Sequence, residues 1–360
     1  MFRDDAVKEG AKLGGRFDIG EGRSVLGELS ISGTETSLYL HDSDFFHIKD
    51  ERANCIRGTF HDRTKVTLLA NSIRSSLGSA TRNNESFHFA ELVPSYVVSG
   101  DRHLSADEPE ITKVTFHVDD AEDIFYDFDA MGHVIDPRTL IAAVVAANEK
   151  VIDRKIPIGP SPDIAYFAGR TELAKVQTVI GYIRVFHQPM PSHPLATREV
   201  GIRNQTLVEI TFPEPRFLPD ALDTVLSLLR FLSLLGGRPQ NLDYIWLDTI
   251  DSDKSPPLDL YWTHPPRRPA RWEQRSPHPV EILIPAIDKA DEFAEVLRNW
   301  MAADAARLDA RVRFATCFDQ QRSFSIDRIV GAANMFDILP VAAFPAVEAL
   351  APDVIQAIIY

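Results

Sequence analysis

Over the first third of the chain, apolar and polar positions alternate with a period of two. Residues 25–32 (VLGELSIS) and 36–41 (TSLYLH) flank a Gly33-Thr34-Glu35 turn, which predicts a β-hairpin. Residues 65–71 (KVTLLAN) and 111–118 (ITKVTFHV) are β-branched and roughly alternating, so each reads as a half-buried strand. Residues 87–92 and 96–99 add two more. Short polar connections without a βαβ rhythm predict an antiparallel, sandwich-like arrangement.

An acidic segment follows, with Asp119, Asp120, Glu122, Asp123, Asp127 and Asp129 interleaved with Ile124, Phe125, Tyr126 and Phe128. It reads as a short amphipathic helix with an acidic solvated face, capped by Asp119 or Asp120. A second helix is expected over 139–151. Strands return at 164–168, 177–185 and 207–212, connected in part by the Pro/His-rich stretch 187–194. The strongest helix signal is 220–235. It is apolar nearly all round, opens at Pro219-Asp220, and is closed by Gly236-Gly237 and Pro239, so it is expected to be buried. Residues 244–249 and 258–263 read as the last strands before a Pro/Arg loop at 264–279.

Past Ile284 the period changes. Ala290, Phe293, Leu297, Trp300 and Met301 recur at three- and four-residue intervals, predicting a helix of about six turns that reaches Arg311. A second helix is expected over 320–339, with Ile326, Ile329, Val330, Ala333 and Phe336 on one face and Pro340 as its stop. A third, short and broken near Pro352, leads to an apolar end, so the helical part reads as the opening of a domain whose remainder is missing. The fold class is therefore α+β. A large β-rich region over 1–283 contains one long buried helix, and a helical region follows over 284–360, with the boundary placed in 277–285.

Composition narrows the class. At 360 residues, two domains is the prior. No apolar run approaches the ~20 residues that cross a bilayer, and the N-terminus lacks a secretory pattern. Two cysteines, Cys55 and Cys317, make neither a disulfide framework nor a metal spacing. A soluble cytoplasmic protein is expected. The net charge of −14 argues against broad contact with nucleic acid.

Candidate chemistry is sparse. Arg267, Arg268, Arg271, Trp272 and Arg275 form the one local basic patch. Four guanidiniums near an indole suit phosphate or a stacked base, or are simply neutralised by the acidic body. The acidic segment 119–129 has the clustered oxygens a hard cation wants, but its interleaved aromatics fit an acidic solvated helix face better, and that is expected. Glycines 20, 22 and 27 fit no nucleotide-binding pattern, and no hydrolase or zinc motif is present. No catalytic residue, metal or cofactor is assigned.

Several segments, in order, resemble the ApeA family of bacterial anti-phage defence proteins. They are Gly27-Glu28-Leu29-Ser30-Ile31 with Leu38-Tyr39-Leu40, Ile56-Arg57-Gly58 with Lys65-Val66-Thr67-Leu68-Leu69, and residues 111–118 running into the acidic segment. The Leu222–Leu235 helix and residues 324–336 (FSIDRIVGAANMF) complete the set. The resemblance implies a β-rich N-terminal region followed by a helical HEPN ribonuclease that halts the infected cell. It also implies a phage component as trigger, RNA as the target of the HEPN part, and homo-oligomers formed through the C-terminal helices. Two departures stand out. Asn334 sits where the first HEPN helix is expected to carry glutamate, and no histidine follows His278 to supply the Arg–His motif. Arg82 and His88 have that spacing, but within a predicted strand, which makes the match a coincidence.

Three readings result. The first is the sensor or regulatory portion of an ApeA-type protein with a truncated or inactive HEPN part. The second is a hydrolase using His88, His117 and the acids near Asp119. The third is a stand-alone binding module.

Overall fold

A computed structural model describes residues 7–48, 53–82, 85–192, 201–251, 255–265, 276–319, 325–340 and 343. The first eight strands are β1 (Lys12–Gly20), β2 (Arg23–Ser30), β3 (Ser37–Asp42), β4 (Cys55–Phe60), β5 (Lys65–Leu69), β6 (Ser72–Arg82), β7 (Glu85–Val93) and β8 (Tyr96–Gly100). There follow β9 (Ile111–Val118), β10 (Met131–His133), β11 (Ala165–Phe167), β12 (Glu172–Thr178), β13 (Gly181–Ser192), β14 (Gly201–Arg216), β15 (Leu242–Thr249) and β16 (Leu258–Trp262). β10 and β11 pair with each other. The other 14 form one antiparallel sheet in the order β12-β13-β14-β9-β15-β16-β8-β5-β4-β1-β2-β3-β7-β6.

An open sheet of more than about ten strands must curl or split. This one carries a core on each of its faces. Val97 of β8 belongs to a core with Phe17, Ile56, Val66 and Leu68, whereas Val98 belongs to a second core with Phe116, Leu247 and Leu260. Leu68 and Leu69 of β5 divide in the same way. Successive residues of a strand point to opposite faces. The two cores therefore lie on opposite faces of one sheet, and the inflection, where the covered face changes, is near β5, β8 and β16.

The predicted hairpin is β2–β3, with Leu29 opposite Leu38. Residues 177–185, expected as one strand, are a hairpin instead. Gly181 at φ +123° turns the chain, and Thr178 Oγ1 donates to its carbonyl at 2.9 Å. The apolar pair Val179-Ile180 in the turn disguised it. The Pro/His-rich stretch, expected as a connection, extends β13, with Pro189 opposite Asn204 and Pro191 opposite Ile202. β12 pairs with β13 no further than Phe186, so the prolines face an unpaired edge where a missing N–H costs nothing.

The sheet's second core is filled by the helix expected at 220–235, here Leu218–Leu235. It buries Leu222, Val225, Leu228, Leu229, Leu232 and Leu235, and Gly237 at φ +65° follows it. Counted in chain order after α1 (Ala121–Ile124) and α2 (Arg138–Ile152), it is α3. The long C-terminal helix expected to reach Arg311 is two, α4 (Ala290–Ala302) and α5 (Asp304–Asp319), broken at Ala303. Arg311 holds the break. It donates to Trp300 O at 2.8 Å and Asp304 Oδ1 at 2.5 Å, and its guanidinium lies 3.6 Å from the Trp300 ring centroid. The next helix, α6, is Ile326–Asp337, capped by Ser325 Oγ accepting from Arg328 N.

α4 lies after the expected boundary at 283/284 but packs into the sheet's second core. Phe293, Leu297 and Met301 are buried in it, with Phe293 against Phe125 at 5.9 Å and Phe231 at 6.0 Å between ring centroids. Trp300 Nε1 donates to Ser227 O of α3 at 3.1 Å. No helix among the described residues is long and apolar enough to cross a membrane.

Candidate functional site

The acidic segment folds at the end of β9, where the chain leaves the sheet. Asp120 stands at the N-cap position of α1, yet its side chain makes no capping hydrogen bond. Its carboxylate instead takes a two-point contact from Arg238, in which Arg238 Nη2 meets Oδ1 and Nε donates to Oδ2 at 2.5 Å. Gln240 completes the arrangement. Its Nε2 donates to Asp120 Oδ2 at 2.7 Å, and its Oε1 accepts from the Asp120 amide at 3.0 Å. Asn241 Nδ2 donates to Asp119 Oδ2 at 2.5 Å. Asp120 is 1% exposed and Asp127, facing Arg170, is 8% exposed. The expected solvated face is thus corrected at both positions, because a buried carboxylate needs a paired cation. No group of three or more His, Cys, Asp or Glu side chains that could hold a metal ion occurs among the described residues.

His117, on the face of β9 opposite the α3 core, is held between two carboxylates. Nδ1 lies 2.9 Å from Asp243 Oδ2, and Nε2 lies 3.2 Å from Glu122 Oε1. Burial works against the protonated ring, but the hydrogen bonds to Asp243 and Glu122 outweigh it and raise its pKa to about 9. Burial likewise opposes ionisation of Glu122. Hydrogen bonds from His117 and the Thr206 amide (3.0 Å) more than compensate and hold its pKa below the usual range. Burial lifts the Asp119 carboxyl despite its bond to Asn241. A histidine that is cationic at neutral pH, with both ring nitrogens engaged, is an electrostatic bolt and not a general base. It ties β9, α1 and β15 together.

The bolt makes a stability prediction. The folded pKa of about 9 lies above the ordinary 6.5, so the contribution is fully present below about pH 6.5 and is lost as pH rises through 9. Wild type minus His117→Gln in urea unfolding will shrink by about 1–3 kcal/mol over that window, the lower figure allowing for solvent screening of the half-exposed carboxylates. A pH-independent difference would refute the bolt.

His88, grouped with His117 in the hydrolase reading, does not join it. It lies on β7 near the other end of the sheet, edge-on to Phe45 at 5.4 Å. Arg267, Arg268, Arg271, Trp272 and Arg275 lie outside the described residues.

A cleft adjoins the bolt at Asp243. It has a volume of about 620 Å³, with an annex of about 240 Å³ that shares Glu9, Asp243 and Tyr261. Strands β15 and β16 form its floor near the sheet's inflection, and the β2–β3 turn forms one wall. Tyr244 and Trp246 alternate onto the same face of β15, their rings stacked at 5.8 Å and 4°. Trp246 stands opposite Asp259 in register. Tyr261 ties the floor to the wall, its hydroxyl donating to Glu9 and accepting from the Gly33 amide at 2.9 Å. Sequence reasoning passed over these residues. The only available signal was the alternation of Tyr244 and Trp246 in a strand otherwise made for a core.

Together these features define a class: a β-rich body built on one antiparallel sheet with two cores, a cleft of about 620 Å³ beside β15 and β16, and a helical extension seated on its second core. The family profile described as ApeA N-terminal domain 1 matches residues 14–300, which takes in all of the sheet but the first two residues of β1, and most of α4. The chain belongs to the ApeA family and is an anti-phage defence protein. No curated protein and no solved structure matches it.

Proposed function

We propose that this chain is the sensor and regulatory portion of an ApeA-type abortive-infection protein. The cleft between β15–β16 and the β2–β3 turn recognises a phage component. The helical region from residue 284 contains a HEPN-like part that is inactive in these 360 residues, since no histidine follows His278. The observation that carries the reading is continuity. The cleft floor, β15, shares a core with α3 and α4, and Arg311 locks α4 to α5. A displacement at the floor thus has a packed route to the helical end.

The test is plaque formation on cells expressing the natural gene. Tyr244→Ala, on the exposed floor, is expected to lower protection at least tenfold at unchanged protein level, and unaltered protection would sink the reading. Purified chain incubated with tRNA is expected to leave it intact, and efficient cleavage would overturn the inactive-effector part.

The reading includes homo-oligomers. Ile326, Ile329, Val330, Ala333 and Phe336 of α6 are exposed and fall at three- and four-residue intervals along one face. An apolar face of this kind suits a second copy of itself across a twofold axis. Light scattering at micromolar concentration should give a dimer mass, and Ile329→Lys with Phe336→Lys should give the monomer. A wild-type monomer would refute it.

A further inference from the structure

The cleft's chemistry points to its occupant. Among the described residues, Glu9, Glu35, Asp243 and Asp259 line the cleft and its annex, against one lining cation, Lys8, with Arg74 lying 3.6 Å from Glu35. Asp243 is 44% exposed at its side chain although it already binds His117, so it presents charge to the cleft as well as to the bolt. Tyr244, Trp246 and Tyr261 line the annex with them, and Tyr261 also lines the cleft. Trp262 is braced on Tyr96 at 5.6 Å. Ring faces attract cations through their quadrupole, and carboxylates beside them supply the matching hydrogen-bond acceptors. A guanidinium is satisfied by both at once, being planar, weakly hydrated and forked. Polyanions are repelled by these acids and by a chain of net charge −14. The cavity is too large for one amine but suits several consecutive side chains of a peptide.

We infer that the cleft binds an arginine- or lysine-rich segment of a partner protein, laid along β15 and β16 with its cations between the ring faces and the four carboxylates. The inference rests on the recognition role proposed for the cleft and names the chemistry of what is recognised.

The experiment uses the full chain and fluorescein-labelled nona-arginine, with nona-glutamate as control, read by fluorescence anisotropy. Saturable binding of the cationic peptide alone is expected, weakening as salt rises. Glu35→Gln with Asp259→Asn should weaken it about tenfold or more, since each tenfold corresponds to about 1.4 kcal/mol. Asp107→Asn with Glu108→Gln removes the same charge from a surface outside the cleft and should weaken it less than about twofold. Equal weakening by the two pairs would show non-specific attraction and overturn the inference, as would no saturable binding. Circular dichroism confirms that each variant is folded. If peptide binding fails while Tyr244→Ala still abolishes plaque protection, the cationic class falls and the recognition reading stands. If peptide binding holds while protection is indifferent to the cleft, the recognition reading falls instead.

Discussion

Asp120→Ala will destabilise the fold by about 3–5 kcal/mol in urea unfolding, the range for breaking one side of a buried ion pair. The Asp120 side chain has no exposed area and that of Arg238 is 12% exposed. Removing the carboxylate strands a guanidinium whose pKa is raised chiefly by its hydrogen bonds to Asp120. It also deprives Gln240 Nε2 of its closest acceptor. The loss is not the net worth of the pair, because desolvating both ions offsets most of their attraction. The double variant Asp120→Leu/Arg238→Met is therefore expected to recover much of the loss, and the cycle will show a coupling above about 1.5 kcal/mol. A single-variant cost under about 1 kcal/mol would mean the pair is wet and only incidental to the fold.

This pair also shows where sequence reasoning stopped. The acids at 119–129 were visible, and interleaved aromatics made a short helix the natural expectation. Burial of Asp120 depends on Arg238, 118 residues away, and no local pattern announces a partner at that distance. Elements with strong periodicity were legible: the β2–β3 hairpin, β9, α3 and the onset of helix after Ile284. β1 was not, because its Gly14-Gly15 pair reads as turn rather than strand. Those glycines let neighbouring structure come close, since a Cβ on Gly15 would lie 2.5 Å from Thr59 O. β6 (SIRSSLGSATR) was hidden by its polarity, which suits the sheet edge it occupies. The cleft was out of reach for a further reason. Its walls come from the N-terminal segment, the β2–β3 turn and β15–β16, segments more than 200 residues apart in the chain that only the tertiary fold brings together.

The other large effect concerns α4. Phe293→Ala is expected to cost about 3–5 kcal/mol, as for other buried Phe truncations, because its ring meets both Phe125 and Phe231 and is 2% exposed. Leu297 and Met301 are buried in the same core, and each truncation to alanine adds about 2–5 kcal/mol. The sum is comparable with the whole stability of an ordinary domain, about 5–15 kcal/mol. A chain ended after Ile284 should therefore fail to fold, despite keeping every strand, because it uncovers Phe231 and the adjoining face of α3. A chain ended after Ala303 should remain soluble and unfold cooperatively, since it keeps Phe293, Leu297, Trp300 and Met301. Thermal melts of the two truncations decide the matter. Cooperative unfolding of the shorter chain would show that the sheet body closes without α4. It would also support the boundary at 283/284 and cut the packed route from cleft to helices on which the sensor reading depends.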